Sequence, residues 1–245
     1  MTPEEEIAQF TGWYHRIEVA PGLFTPGVDN TPGKLAILDT LGFPKDCTGL
    51  RVLDVGTADG AFAFEAKRRG AATVVAIDTR RPEQTGFWIA RNILGIWVDY
   101  HQRSVYDLHP SKDHPFDVIL FLGVLYHLRH PLLALDRLRQ VIDPNGVMLI
   151  DTHSIQAGLC DNQLAIDPAT SWFTAREVSL WQTFIDHRTP YIGFSPNLAG
   201  LDEALYKTQW TMSSQVEFAG SRLYAAARPA VVPAIEKFIA EDGLR

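Results

Sequence analysis

The chain has 245 residues, 46% of them hydrophobic, which is enough to bury a sizeable core in one domain. Its 22 basic and 29 acidic side chains give a formal net charge of −7, which disfavours a surface built mainly to bind phosphate backbones. Two cysteines, at no metal-ligand spacing, exclude a disulfide framework and fit a reducing compartment.

No apolar run approaches the roughly 18 residues that span a bilayer. The N-terminus is acidic, whereas a secretory signal is basic and then apolar. We therefore expect a cytoplasmic protein without a membrane segment.

Strands and helices alternate in the middle of the chain, after a loop predicted at the proline- and glycine-rich residues 21–33. The predicted strands are 51–55, 73–78, 98–103, 116–122 and 147–152, and the predicted helices are 60–69, 84–94 and 132–141. A turn at residues 143–146 separates the last helix from the last strand. The nearly continuous apolar run at 116–122 is typical of a strand covered on both faces, so we expect a parallel sheet with right-handed crossovers.

The pattern changes after His153, where residues 154–195 are polar and aromatic. A helix is predicted at 196–205, two strands at 210–218 and 222–227, and a short surface helix at 232–239. The expected architecture is an α/β, Rossmann-like sheet of parallel strands that ends in an antiparallel hairpin strand, with helices on both faces. We divide the chain into an N-terminal cap at 1–48, a ligand-binding domain at 49–228 with a lid insertion at about 154–195, and a C-terminal surface helix at 229–245.

The strongest motif is the turn that follows the strand 51–55 and opens a helix. In an open α/β sheet, ligands bind at the carboxyl ends of the strands, and Gly56 and Gly60 allow the backbone to approach a ligand closely. Asp54 and Asp59 would repel a pyrophosphate, and the absence of a G-x-G-x-x-G sequence argues against a dehydrogenase. Carboxylates beside backbone donors suit a ligand with an ammonium and a sulfonium, such as S-adenosylmethionine (SAM). The alternative is that the glycines only shape a turn.

Polar residues also follow the second and third predicted strands. Asp78, which is 24 residues after Asp54, can accept hydrogen bonds from both hydroxyls of a ribose. Its alternative role is to cap the next turn. Ser104 and Val105 follow the third strand, where an adenine would lie, although an ordinary serine turn explains Ser104 equally well.

These residues resemble a known family. Leu53-Asp54-Val55-Gly56 with Gly60 resembles motif I of the class I SAM-dependent methyltransferases, and residues 121–131 resemble the fourth-strand motif of one branch. That branch includes the tRNA wobble-uridine carboxymethyltransferases and their small-molecule relatives. Residues 13–15, 25–27 and 194–197 resemble its flanking motifs, so the resemblance spans about residues 10–228.

The resemblance implies a SAM site distributed over four strand ends. Its residues are Asp54, Gly56, Thr57 and Gly60 at the methionine end, Asp78 and Thr79 at the ribose, Ser104 and Val105 near the adenine, and Leu122 and Tyr126 beside the sulfonium. The tRNA enzyme uses a carboxylated SAM, held by basic and tryptophan side chains before motif I. Here His15 stands where a lysine is expected and Thr25-Pro26-Gly27 replaces the next aromatic-basic cluster, so plain SAM is the expected cofactor.

Methyl transfer requires an acceptor held in line and, for a hydroxyl or ammonium, a base that removes a proton. His153 is the predicted base because it follows the fifth strand, and His127 is its competitor; either histidine could instead bond local backbone groups. His127 and His130 lie one helical turn apart, but only Asp151 could join them, so we predict no metal site. Aromatic residues are expected either to form a lid over the acceptor or to fill a secondary core: Trp13, Tyr14, His15, Trp172, Trp181 and Tyr191.

The sequence thus favours methyl transfer from SAM to oxygen, nitrogen or carbon of a small-molecule acceptor. A tRNA-modifying enzyme is the first alternative, and a SAM-binding protein without catalysis is the second. The sequence leaves the oligomeric state open, including a homo-oligomer.

Overall fold

A computed structural model describes residues 1–113, 115–154, 181–185, 192–218 and 222–230. Six described α-helices are α1 (Pro3–Ala8), α2 (Thr31–Thr40), α3 (Ala61–Arg68), α4 (Phe87–Leu94), α5 (Pro131–Val141) and α6 (Leu198–Lys207). The described strands are β1 (Glu18–Ala20), β2 (Leu23–Phe24), β3 (Arg51–Val55), β4 (Thr73–Asp78), β5 (Asp99–Gln102), β6 (Phe116–Leu122), β7 (Ile142–His153), β8 (Trp181–Ile185), β9 (Ile192–Pro196), β10 (Trp210–Phe218) and β11 (Arg222–Pro229).

Seven of these strands form one central sheet in the order β10-β11-β7-β6-β3-β4-β5. The five strands from β7 to β5 are parallel, whereas β11 pairs antiparallel with both β7 and β10. The predicted architecture is therefore confirmed. The chain direction across the sheet reverses between β3 and β6, and ligands of open α/β sheets bind in the crevice at such a switch point.

The strand β6 explains why its sequence is apolar throughout. Val118 and Leu120 pack into the core on one face of the sheet, and Ile119 and Phe121 pack into the core on the other. Because side chains alternate between the faces of a strand, a strand covered on both sides must be apolar at every position.

The predicted turn at 143–146 lies inside a strand. Phe116 pairs with Ile142 but Val118 pairs with Val147, so β7 carries extra residues as a bulge. The Asp143 carboxylate accepts the N–H of Asn145 at 2.8 Å, which is the local turn that the sequence indicates. The prediction located the turn correctly but placed the start of the strand five residues late.

The N-terminal region was predicted less well. Residues 21–33 contain β2 of a small hairpin and the first turn of α2 rather than only a loop. Pro32 fits here because N–H groups in the first turn of a helix have no acceptor within the helix, so the N–H that proline lacks is not needed. The Asn30 side chain caps the helix by accepting the N–H of Gly33 at 3.3 Å. Side chains of the first 48 residues, among them Trp13 and Leu38, belong to the core on one face of the sheet.

Part of the expected lid insertion is described. Strands β8 and β9 pair as an antiparallel hairpin, and β9 contacts both β7 and the 3₁₀ turn Leu125–His127. Most of residues 154–195, and the predicted helix at 232–239, lie outside the described residues. Within the described ranges, none of the helices has both the length and the apolarity needed to cross a bilayer.

Candidate functional site

The turn after β3 is folded tightly over the end of β4. The N–H groups of Gly56 and Thr57 both donate to the carbonyl oxygen of Ile77, at 2.8 and 3.1 Å. Gly56 has a φ of 72°, and a Cβ on this residue would lie 2.4 Å from the Val124 side chain. Gly60, with a φ of 89°, begins α3. Two of the predicted motif I glycines therefore occupy backbone conformations that disfavour other residues.

Asp54 lies beneath this turn and is buried. Its Oδ2 accepts the Thr57 hydroxyl at 2.6 Å. Burial raises the pKa of Asp54 to about 7, against the opposing hydrogen bonds from Thr57 and from the N–H of Ala63, while the charge of Asp78 raises it further. A carboxyl that titrates near neutral pH can respond to a nearby cation by losing its proton.

Asp59 is also buried, and its carboxylate accepts three backbone N–H groups. Oδ2 accepts from Tyr14 at 2.7 Å and from His15 at 2.8 Å, and Oδ1 accepts from Gly86 at 2.8 Å. The N–H groups come from residues that are 27 to 45 positions away in the chain. The described contacts of Asp59 are therefore with the protein, although the sequence suggested that it faces a ligand.

Asp78, the predicted ribose ligand, lies at the end of β4 beside the motif I turn. Its Oδ2 accepts the N–H of Ala58 at 3.0 Å, and its Oδ1 accepts the N–H of Arg80 at 2.9 Å. The guanidinium of Arg80 also contacts both oxygens, at 3.3 and 3.2 Å, and this side chain is 49% exposed. Asp78 therefore caps the turn that follows β4 and also holds the motif I turn, at the position where a ribose is expected.

The predicted adenine region follows β5. The Ser104 hydroxyl accepts the N–H of Tyr106 at 3.3 Å, and Asp107 accepts the N–H of Ser104 at 2.9 Å, so the serine is part of a local turn. Val105 is buried in the core. Thr79 is fixed through its carbonyl oxygen, which accepts the Gln102 side chain at 3.1 Å.

Tyr126 lies where the ends of β6 and β7 meet. Leu122, the last residue of β6, is buried, and Gly123 donates its N–H to the Asp151 carbonyl at 2.8 Å. The Tyr126 ring centroid lies 4.0 Å from that of His127 and 4.5 Å from that of His153, which is perpendicular to it. Both predicted base residues therefore meet the same tyrosine ring.

Next to this ring is a network of four charged side chains that the sequence reasoning did not identify. Lys34 Nζ lies 2.6 Å from Asp29 and 3.4 Å from Asp151, and Arg222 lies 2.5 Å from Asp151. Burial lowers the pKa of Lys34 and of Arg222, but their partners together outweigh it and raise both pKa values: Asp151, Asp29 and Tyr14 act on Lys34, and Asp151 and Tyr126 act on Arg222. Arg222 also donates to the Tyr126 hydroxyl at 3.4 Å. The sequence indicates a possible role for Asp151 only as a metal ligand, and no motif marks the other three residues.

Three of the predicted lid residues are adjacent, and we call Trp13, Tyr14 and His15 the strap. Trp13 and His15 are buried, whereas Tyr14 is 40% exposed and its ring lies 5.7 Å from Lys34 Nζ. Burial lowers the pKa of His15 to about 4, so this imidazole is neutral at pH 7. The other predicted lid residues cannot be placed: Trp172 and Tyr191 lie outside the described residues, and of Trp181 only the backbone strand is described.

Across the described ranges, no group of three or more histidine, cysteine, aspartate or glutamate side chains is arranged to hold a metal ion. The functional groups described at the site are therefore carboxylates, phenols, imidazoles and the two basic side chains of Lys34 and Arg222.

Comparison with known proteins shows which family the chain matches. Residues 32–210 match the family model described as a methyltransferase domain. The tRNA U34 carboxymethyltransferase of Methylococcus capsulatus is 33% identical over 105 residues, which cover 42% of this chain and 32% of that protein. The ubiquinone biosynthesis O-methyltransferase of Nitrosococcus oceani is 31% identical over 147 residues, covering 60% and 61%. The chain matches about a third to a half of the length of the tRNA enzymes cited first among its relatives.

The fold also recurs among solved structures. A 1,6-didemethyltoxoflavin-N1-methyltransferase from Burkholderia thailandensis superposes with a TM-score of 0.59 at 19% identity, over 81% of this chain and 77% of that one. At this identity the likeness concerns the fold. Since the family model covers most of the chain and the sheet has the expected order, the chain belongs to the methyltransferase domain family and is a class I SAM-dependent methyltransferase of the branch that includes the tRNA U34 carboxymethyltransferases.

Proposed function

We propose that this enzyme transfers the methyl group of SAM to a small-molecule acceptor that binds beside Tyr126 and His153. The observation behind this proposal is the convergence of the Tyr126, His127 and His153 rings at the ends of β6 and β7. In an open α/β sheet this is the crevice beside the switch point, where ligands bind.

The residues around the turn after β3 fit SAM. Positive φ at Gly56 and Gly60 brings the backbone close to the strand ends, and Asp54 and Asp78 offer carboxylates for an ammonium and for ribose hydroxyls. Of these carboxylates, Asp54 has a pKa of about 7, so a bound ammonium would favour its ionised form. Arg80 would have to give up part of its contact with Asp78 for both ribose hydroxyls to bind there.

SAM supplies an activated methyl group on its sulfonium when it is bound. In the proposed reaction, His153 would accept the proton of an acceptor hydroxyl as the methyl group is transferred, or would first deprotonate an acceptor ammonium to the free amine; transfer of the methyl group from bound SAM would leave S-adenosylhomocysteine. The Tyr126 ring packs edge-to-face with His153 and so fixes the plane of the imidazole. His127 is the alternative base, since its ring contacts the same tyrosine.

Plain SAM is favoured over the carboxylated form by the charge balance near Tyr126. Contrary to the sequence argument, basic side chains are present here, namely Lys34 and Arg222. Their two positive charges are, however, matched by Asp29 and Asp151 at 2.5 to 3.4 Å, so the group of four is neutral. An extra carboxylate on the donor would therefore have no unmatched positive charge in this group to pair with.

A tRNA acceptor is the second candidate, and it is favoured by the relatives named tRNA U34 carboxymethyltransferase. The net charge of −7 supports the small-molecule acceptor instead.

The test is a labelling experiment with SAM that carries tritium in its methyl group. The enzyme is incubated in parallel with bulk bacterial tRNA and with a protein-free, ultrafiltered metabolite extract. We expect label in the low-molecular-weight fraction that depends on active enzyme, and background label in tRNA. Ribonuclease-sensitive label in tRNA, with none in the metabolite fraction, would contradict the small-molecule proposal.

A further inference from the structure

The carboxylate of Asp59 joins three parts of the site that are separate in the sequence. It lies in the turn between β3 and α3, and it accepts N–H groups from the strap and from Gly86, just before α4. Tyr14 and Gly86 belong to no helix or strand, and His15 forms only an isolated bridge with Asp29. The N–H groups of Tyr14 and Gly86 therefore have no hydrogen-bond ladder of a helix or sheet to join. A buried backbone N–H without a partner is costly, which makes Asp59 the group that satisfies all three.

Packing around Asp59 leaves the strap little freedom. The Trp13 ring lies directly on Gly86, where a Cβ would be 2.1 Å from the ring, and Trp13 Nε1 donates to the Ile7 carbonyl at 3.1 Å. The His15 ring meets the Phe62 ring edge-to-face at 5.3 Å. The strap is therefore fastened to the first turn of α3 on one side and to the start of α4 on the other.

Tyr14, the middle residue of the strap, reaches the charged group beside Tyr126. Tyr14 contacts Lys34 through its ring, and its phenol interacts electrostatically with Tyr126 and Arg222. The strap thus runs from the motif I turn, where we propose that SAM binds, to the charged group beside Tyr126, where we propose that the acceptor binds.

We propose that Asp59 is a positioning residue that acts through the strap: its three hydrogen bonds place the Tyr14 side chain at the acceptor side of the site, and its carboxylate is not a ligand of SAM. This inference assumes the proposed SAM site at the motif I turn. It replaces the ligand role that the sequence suggested for Asp59, because both oxygens are used by backbone donors in a buried setting.

The test compares Asp59→Asn with Asp117→Asn. Asp117 provides a matched control because its carboxylate also accepts a backbone N–H, that of Arg51 at 2.7 Å, but at the opposite ends of β3 and β6. Asn at position 59 keeps one acceptor oxygen and turns an N–H₂ group towards an N–H donor, so at least one of the three bonds is lost. Three measurements are made on both variants: amide hydrogen exchange, the dissociation constant of S-adenosylhomocysteine by calorimetry, and the titration of Tyr14 by ¹³C NMR, assigned with Tyr14→Phe.

For Asp59→Asn we expect exchange of the amides of residues 14, 15 and 86 to become about tenfold faster or more. We also expect the Tyr14 pKa, which burial raises in the wild type, to fall towards its ordinary value of about 10. The dissociation constant of S-adenosylhomocysteine should stay within about threefold of wild type, a change of less than 1 kcal/mol. Asp117→Asn should change none of the three.

Unchanged exchange at residues 14, 15 and 86, or an unchanged Tyr14 titration, would overturn the proposal. So would a loss of S-adenosylhomocysteine affinity well above tenfold, because it would make Asp59 a ligand. If Asp59→Asn does not fold, hydrogen exchange of the wild-type protein remains a test of the proposal. The proposal requires the amides of residues 14, 15 and 86 to be protected together in the native protein, and exchange of any of the three at the rate of an unprotected amide would overturn it. A wild type that binds no S-adenosylhomocysteine would refute the proposed SAM site while leaving the exchange and tyrosine measurements to test the strap.

Discussion

Asp54 offers the most direct test of the electrostatics beneath the motif I turn. Its pKa rises from the ordinary 3.8 to about 7 because burial disfavours the carboxylate. A carboxyl with a raised folded-state pKa stabilises the protein only while it is protonated, so its contribution is complete below about pH 4 and is lost as the pH rises through about 7. The difference between these two pKa values corresponds to about 4 kcal/mol of stability, lost between about pH 4 and pH 7.

Asp54→Asn removes this titration while preserving the shape of the side chain. The variant loses one hydrogen bond, either from Thr57 or from Ala63, at a pH-independent cost of about 1–3 kcal/mol. The free energy of unfolding of the variant, relative to wild type, should therefore rise as the pH increases from 5 to 8. It should increase by a few kcal/mol between pH 5 and pH 8.

The measurement is urea unfolding of both proteins at several pH values between 5 and 8. Asp46→Asn is the control: Asp46 is exposed and its pKa is lowered by hydrogen bonds from Thr48, so it is ionised in both states throughout this range and its difference curve should be flat. A flat curve for Asp54→Asn as well would refute the reasoning, since it would mean that burial does not hold Asp54 in its protonated form.

Three further predictions concern binding and turnover. Asp78→Ala should weaken binding of S-adenosylhomocysteine by about tenfold or more in calorimetry, because it removes charge-assisted hydrogen bonds to the ribose. The control, Asp99→Ala on the neighbouring exposed strand β5, should not weaken binding. Equal affinities of the two variants would place the ribose elsewhere. His153→Ala should leave the affinity for S-adenosylhomocysteine unchanged and reduce methyl transfer by about 100-fold or more in the tritium assay. Full activity of this variant would exclude His153 as the base. Gly56→Ala should lower the free energy of unfolding by at least about 1–2 kcal/mol, because its φ of 72° is strained for alanine and the new Cβ would overlap Val124; an unaltered urea midpoint would contradict this.

Several features of this protein follow from the sequence because their cause is local. The apolar run at β6 indicates burial on both faces, and the glycine-containing turn after β3 indicates a tight backbone path, so β3, β6 and the motif I loop could be located to within a residue or two, whereas the start of β7 could not. Asp78 and His153 were predicted to face one crevice for a related reason: a parallel sheet brings its carboxyl ends to one edge.

The contacts that organise the site had no local signal. Asp59 was assigned to a ligand because its sequence neighbourhood says nothing about Tyr14, 45 residues earlier, or Gly86, 27 residues later. Lys34, Asp151 and Arg222 come from α2, β7 and β11, and each in isolation looks like an ordinary charged residue. Periodicity and turn chemistry determine which elements form and in what order they pack. Which side chain pairs with which across those elements depends on strand register and helix placement, and these are decided only when the whole core is assembled.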